Sequence, residues 1–241
     1  MCAPLSTYRL PEVTRKLLGK TNLSLTVTLV QDMNPLDRSL GHRVSILLTG
    51  WVLVSAGIVS VLRAGLGAGP LDVLNVGIAS HLGVQVGTAS WVTMGTIIAV
   101  AMILGARPGP ATFASTFFVG SLVNVFLDLI LTPDSFAARL VLLCVGVGIL
   151  YLGVCLSVVA GLGYSAVDML MFALGGKGLS LRVARWGIEL TAVTAGVILG
   201  GTAGIATILI ALSAGPSLVR LIPLVARLPL VAVNPARLSV S

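Results

Sequence analysis

Charge is scarce in this chain. Of its 241 residues only 10% are Asp, Glu, Lys or Arg, while 56% are hydrophobic and the mean hydropathy is +1.07. So little charge cannot clothe the surface of a soluble globular domain. Cysteine is sparse too: Cys2, Cys144 and Cys155 have no zinc-finger or redox spacing. Cys144 and Cys155 lie eleven residues apart in one apolar segment, too far along a helix axis to bridge, and read as small apolar packers. The two histidines, His42 and His81, are far apart, and no H-E-x-x-H pattern is present, so no metal site is expected. There is no Ser-His-Asp arrangement and no histidine–acid pair, so enzyme chemistry has little support and no cofactor is expected. The net charge of +7 is no sign of nucleic acid here, because the basic residues sit at the ends of apolar segments, as in the positive-inside pattern.

Long apolar stretches are what the chain does have. They run at about 44–62, 71–82, 87–105, 111–131, 139–160, 167–175, 183–200 and 203–222, and several approach the roughly 20 residues that span a bilayer as a helix. They lack the apolar–polar alternation of membrane strands. Lipid forces every backbone polar group to find an internal partner, so the many Val and Ile residues do not argue for strands. The fold class expected is all-α, a polytopic transmembrane helix bundle. Residues 1–43 read as a cytosolic, poorly ordered tail, with Met33 a candidate start, and residues 223–241 as a second cytosolic tail.

Two stretches recur. Gly65-Leu66-Gly67-Ala68-Gly69-Pro70-Leu71-Asp72-Val73-Leu74 returns 96 positions later as Gly161-Leu162-Gly163-Tyr164-Ser165-Ala166-Val167-Asp168-Met169-Leu170, with five of ten positions identical. Leu104–Thr112 matches Leu199–Thr207 at an offset of 95, as do Trp91 and Trp186, and Gly120 and Gly215. The expectation is two internal repeats, 44–131 and 139–222, each of four segments, with a short or broken helix after each glycine-rich turn. If all eight segments cross, the repeats are parallel; if the short second and sixth segments are re-entrant, they are inverted. Either arrangement leaves thirteen of the fifteen Lys and Arg on the cytosolic side, so the charge rule does not choose. We read eight elements, residues 66–82 being just long enough to cross as a thin or tilted helix.

The candidate site residues are the polar groups inside these runs. Asp72 and Asp168 follow the glycine turns. A carboxylate near the bilayer centre costs about 2.5–3.5 kcal/mol on insertion scales; near a helix start it costs less, because free N–H groups and the helix dipole stabilise it. Each aspartate therefore fits two readings: a first-turn residue closing its turn, or a group facing a cavity and binding a cation or proton. Gly67, Gly69 and Gly163 permit either unwound backbone or close helix packing. Asn75, one turn after Asp72, can hydrogen-bond across helices. Arg185 and Glu189, spaced i, i+4, share a helix face and form either a structural ion pair or a coupling site. Their counterparts in the first repeat are Ser90 and Met94, so the pair is asymmetric. Asn124 and Asp128 share a face near one end of their segment, and Asp128 is read as interfacial.

These motifs together resemble the YczE-like integral membrane proteins, a group related to the YitT-like bacterial membrane proteins. The residues that carry the resemblance are Gly65–Leu74, His81–Thr88, Asp168-Met169-Leu170, Arg185–Glu189 and Leu199–Thr207, over about residues 44–222. Ser165-Ala166 stands where Gly-Pro is usual before the second aspartate, and Ala206 where a Gly is usual before Thr207; both weaken the equivalence of the two halves. The resemblance implies a bacterial inner-membrane protein, and export of small organic compounds has been suggested for relatives. The expected function is secondary transport or export of an unidentified small molecule, proton- or sodium-coupled, with Asp72, Asp168 and Glu189 along the path. The alternative is a non-transporting membrane scaffold or regulatory partner with structural charges. Membrane lipid and an unknown small-molecule or ion substrate are the expected partners, with nucleic acid not among them. Both termini are expected in the cytoplasm, and a homo-oligomer is left open.

Overall fold

Glycines set the central packing of the molecule. The computed structural model describes residues 40–163 and 165–226, all helix and turn, with no strand among the described residues. Eight helices follow one another: α1 (Leu40–Ala64), α2 (Pro70–Leu82), α3 (Val86–Ile103), α4 (Pro110–Leu129), α5 (Phe136–Ala160), α6 (Ala166–Gly176), α7 (Leu181–Ile198) and α8 (Ile205–Ala226). They match the eight apolar segments closely, although α1 begins before residue 44 and α8 runs past residue 222. Most of the two tails, Cys2 and the start at Met33 lie outside the described residues. Helices α1, α3, α4 and α5 are each long and apolar enough to cross a membrane, and α8 is a fifth if its bend is part of one span. The protein is a multi-pass helical membrane protein. Apolar side chains such as Ile103, Leu131, Ile198 and Leu212 stand exposed, a surface that lipid covers better than water.

Helices α1 and α5 pack most closely. A Cβ added at Gly57 would meet the Leu150 nitrogen at 2.6 Å, one at Gly153 the Val54 nitrogen at 2.6 Å, and one at Gly146 the Ser60 Cβ at 2.7 Å. Small residues permit such approach, and in lipid the resulting van der Waals contact is a main driving force for helix association. The pairings Gly50 with Ser157, Gly57 with Leu150 and Gly146 with Ser60 make the two helices antiparallel. Helix α4 instead runs parallel to α1: Trp51 packs on Phe118, the Ser55 hydroxyl reaches the Val119 carbonyl, and Arg63 donates to the Leu127 carbonyl.

The short helices follow from this geometry. Arg63, at the end of α1, sits at the C-terminal end of α4. The start of α3 is held there too, because Asn124 of α4 accepts from the Gly87 N–H at 2.8 Å. The chain thus leaves α1 and enters α3 toward the same end of the bundle, and α2 does not carry it across. With 13 residues α2 is only about 20 Å long, against a hydrocarbon core of about 30 Å. Helix α6, with 11 residues, is shorter still. Alternating crossings by all eight segments would make α1 and α4 antiparallel and α1 and α5 parallel. The structure has the opposite in both cases, so of the two courses left open by the sequence, residues 66–82 turn back rather than cross. The remaining principal contacts are α2 with α7, α3 with α6, α2 with α3, α6 with α7, α3 with α4, and α5 with α8.

Candidate functional site

The first glycine-rich turn is stitched to the far end of the chain. Gly65 and Gly67 have φ of +66° and +110°, values that side chains rarely adopt. A Cβ at Gly67 would lie 2.6 Å from the Gly204 nitrogen, so backbone meets backbone here. The Ala206 N–H donates to the Leu66 carbonyl at 3.0 Å. The buried Thr207 hydroxyl accepts from the Gly204 N–H at 3.0 Å and donates to the Ala68 carbonyl at 2.7 Å. Thr207 thereby closes the start of α8 and ties the turn down. Gly163, in the second turn, meets Ala111 at the start of α4, with 3.0 Å between an added Cβ and the Ala111 Cβ.

Asp72 and Asp168 occupy the same place, the third residue of a short helix, but their surroundings differ. Gly69 is the N-cap of α2 and supplies no side-chain cap; Pro70 follows, its missing N–H costing nothing there. The Asp72 carboxylate folds back over Gly69, where an added Cβ would lie 2.7 Å from Oδ2, and takes one long hydrogen bond, 3.4 Å, from Asn75 Nδ2. Asn75 is 3% exposed and its Oδ1 has no partner. At the second short helix Ser165 is the N-cap: it accepts from the Asp168 N–H at 3.2 Å and donates to Asp168 Oδ2 at 2.7 Å. Serine here replaces the Gly-Pro break with a side-chain cap.

Asp168 belongs to a charged chain. Arg185 Nη1 lies 3.5 Å from Asp168 Oδ1, and Arg185 Nε donates to Glu189 Oε1 at 2.6 Å. The side chains of Asp168 and Arg185 are about one-third exposed; that of Glu189 is 15% exposed, at the middle of α7. A guanidinium of α7 thus stands between a carboxylate of α6 and one a turn further along α7, with net charge −1. Helices α6 and α7, with α2 and α3, also line an apolar cleft of about 380 Å³ whose walls include Leu71, Leu74, Ile97, Leu170, Leu174 and Ile188. The structure therefore brings Asp168, Arg185 and Glu189 together, and separately Asp72, Asn75 and Gly69. No hydrogen bond or ion pair joins the two groups among the described residues. No cluster of His, Cys, Asp or Glu suited to a metal occurs among the described residues.

Residues 41–222 match the family of unknown function DUF6198. The chain belongs to that family. It is 27% identical over 187 residues to an uncharacterized protein of Haemophilus influenzae, covering 77% of this chain and 86% of that one. It is 26% identical over 169 residues to the uncharacterized membrane protein YczE of Bacillus subtilis, covering 69% and 79%. No solved structure matches. The resemblance to YczE-like membrane proteins is thus confirmed at the level of family.

Sequence reading of this DUF6198 member missed three structural groups. Arg43 Nε and Nη2 donate to the Ala160 and Gly161 carbonyls at 3.0 and 2.6 Å, capping the end of α5. Arg139 stands beside Gly65 at the end of α1, 3.7 Å from where a Cβ would be, and donates to the Pro133 carbonyl at 2.8 Å. The two arginines are 96 positions apart, as are Gly50 and Gly146, and Gly57 and Gly153; the same period search would have found them. Asn124, given no role of its own from the sequence, caps α3 from another helix and donates to the Thr88 hydroxyl at 3.1 Å. No spacing in the sequence signals that cap.

Proposed function

We propose that this protein is a secondary transporter of a small solute in the bacterial inner membrane, built from two inverted halves. The observation that carries the reading is the Asp168–Arg185–Glu189 chain within a membrane bundle. Ionisable groups at such positions are costly and usually mark a solute or ion path. Short helices at matching places in two halves are the best sequence pointer to a transporter site. The halves are supported by the repeat at offset 96 and by the contacts: exchanging α1 with α5, α2 with α6, α3 with α7 and α4 with α8 turns α2–α7 into α3–α6 and α1–α4 into α5–α8. Since α1 and α5 are antiparallel, the halves are inverted. On this arrangement Arg63 and Arg139 face outward, and the other Lys and Arg, with both termini, face the cytoplasm.

The two aspartates take different roles. Asp168 with Arg185 and Glu189 forms the solute path, and its net negative charge favours a cationic or protonated solute. Asp72 with the unpartnered Asn75 Oδ1 holds the coupling cation or proton. The test is solute flux into liposomes containing the purified protein, driven by a proton or sodium gradient. Asp168→Asn and Glu189→Gln should each cut flux by about tenfold or more, equivalent to about 1.4 kcal/mol. Asp72→Asn should remove the dependence on the gradient. Flux that all three variants retain in full would sink this site. One observation favours a scaffold instead: both Asp168 and Glu189 already have partners, as a purely structural network would require. Stable protein that moves nothing across a broad solute panel, while one partner co-purifies stoichiometrically, would favour that alternative.

A further inference from the structure

The two halves also differ in how their third and fourth helices pack. In the first half α3 packs on α4; in the second, α7 has no comparable packing on α8. The α3–α4 contact is made by Trp91 and Gly120. A Cβ at Gly120 would run into Trp91 Nε1, the indole N–H donates to the Phe117 carbonyl, and the ring stacks on Phe117 with centroids 5.0 Å apart. The positions 95 residues on are Trp186, Gly215 and Leu212. Trp186 is 72% exposed, and nothing lies within 4 Å of where a Gly215 side chain would begin. The second half therefore carries the same tryptophan and the same glycine, with the two apart.

We infer that Trp186 closes onto Gly215 in a second conformation, as Trp91 is closed onto Gly120 here, bringing α7 against α8 beside the Asp168–Arg185–Glu189 chain. The polar clasp of the first half explains why only the second half opens. Asn124 bonds both the Gly87 N–H and the Thr88 hydroxyl, fixing α3 to α4. The corresponding positions are Val219, Arg182 and Val183, so the second half has no amide and no hydroxyl there. Arg182 also stands where Gly87 permits backbone contact, so the second half cannot lock as tightly. An indole packing over a glycine, without a clasp, makes a reversible closure. Trp186 and Glu189, spaced i, i+3 on α7, share a face of that helix, so the closure takes place on the side of α7 that carries Glu189. Trp186 and Gly215 act here as positioning residues.

This inference rests on the two-half reading above, and its test is independent of solute flux. In the full chain in membrane vesicles, with Cys2, Cys144 and Cys155 replaced by alanine, Val183→Cys and Val219→Cys are combined and treated with a short bifunctional thiol reagent. The control is Thr88→Cys with Asn124→Cys, whose native side chains are 3.1 Å apart. Both pairs should crosslink, the control at once and the second pair more slowly. Adding Gly215→Leu, which has open space here, should abolish the second crosslink at least tenfold in rate and leave the control untouched. A second pair that never crosslinks while the control does overturns the closure. A crosslink that survives Gly215→Leu overturns the role of Trp186 and Gly215. Crosslinking in protein that transports nothing upholds the closure while removing the transport reading.

Discussion

Arg185 holds two carboxylates, Asp168 and Glu189. Replacing it with Gln leaves Glu189, 15% exposed, without its cation. The pair lies between the exposed and the buried limits, so the expected loss is roughly 1–3 kcal/mol. Arg185→Gln combined with Glu189→Gln should recover most of that loss, because no unpaired charge remains; thermal unfolding in detergent measures the difference. The glycines behave differently from one another. Gly67→Ala places a methyl 2.6 Å from the Gly204 nitrogen at φ +110°, and should cost about 2 kcal/mol or more. Gly163→Ala meets only a methyl at 3.0 Å and should cost less. Equal losses for the two in the same unfolding assay would contradict this packing. Sequence alone made these glycines equivalent; their neighbours make them unequal.

At the scale of the element, each short helix is defined by how its first turn is closed. Helix α2 starts at Gly69 and Pro70 with no side-chain cap, while α6 uses the Ser165 hydroxyl. Helix α3 has no cap of its own, since Gln85 gives no side-chain bond, and takes one from Asn124 on α4. Asn124→Ala should therefore destabilise the protein by about 1 kcal/mol and loosen α3 rather than α4. Hydrogen exchange at the amides of Gly87 and Thr88 should rise more than at any α4 amide. The eight apolar segments were legible because helix formation in lipid follows from hydropathy and the need to satisfy the backbone. The caps were legible only where the capping residue is local, as with Ser165.

For the whole molecule the decisive feature is direction. The parallel run of α1 with α4 makes α2 return to the end of the bundle from which it started, and the proposed two-half arrangement gives α6 the same course. Ser80 and Gly176, near the ends of these two helices, should then lie at opposite membrane faces. Cysteines at each, labelled by an impermeant thiol reagent in oriented vesicles, should react from opposite sides. Reaction from the same side would restore parallel halves. Neither hydropathy nor the distribution of Lys and Arg distinguishes these arrangements, because both place the same number of basic residues in the cytosol.

The sequence by itself determined the solvent of this protein, the places of its eight described helices, its family, and the likeness of its two glycine-rich turns 96 positions apart. Those are properties of composition and period. The tertiary structure decided which way each helix runs, which gave Asp72 and Asp168 different partners, placed Arg185 between two acids, and left Trp186 apart from Gly215. These depend on contacts between residues distant in the chain. Gly57 against Leu150 and Thr207 against Ala68 are set by close approach of backbones and by hydrogen bonds that no local spacing encodes.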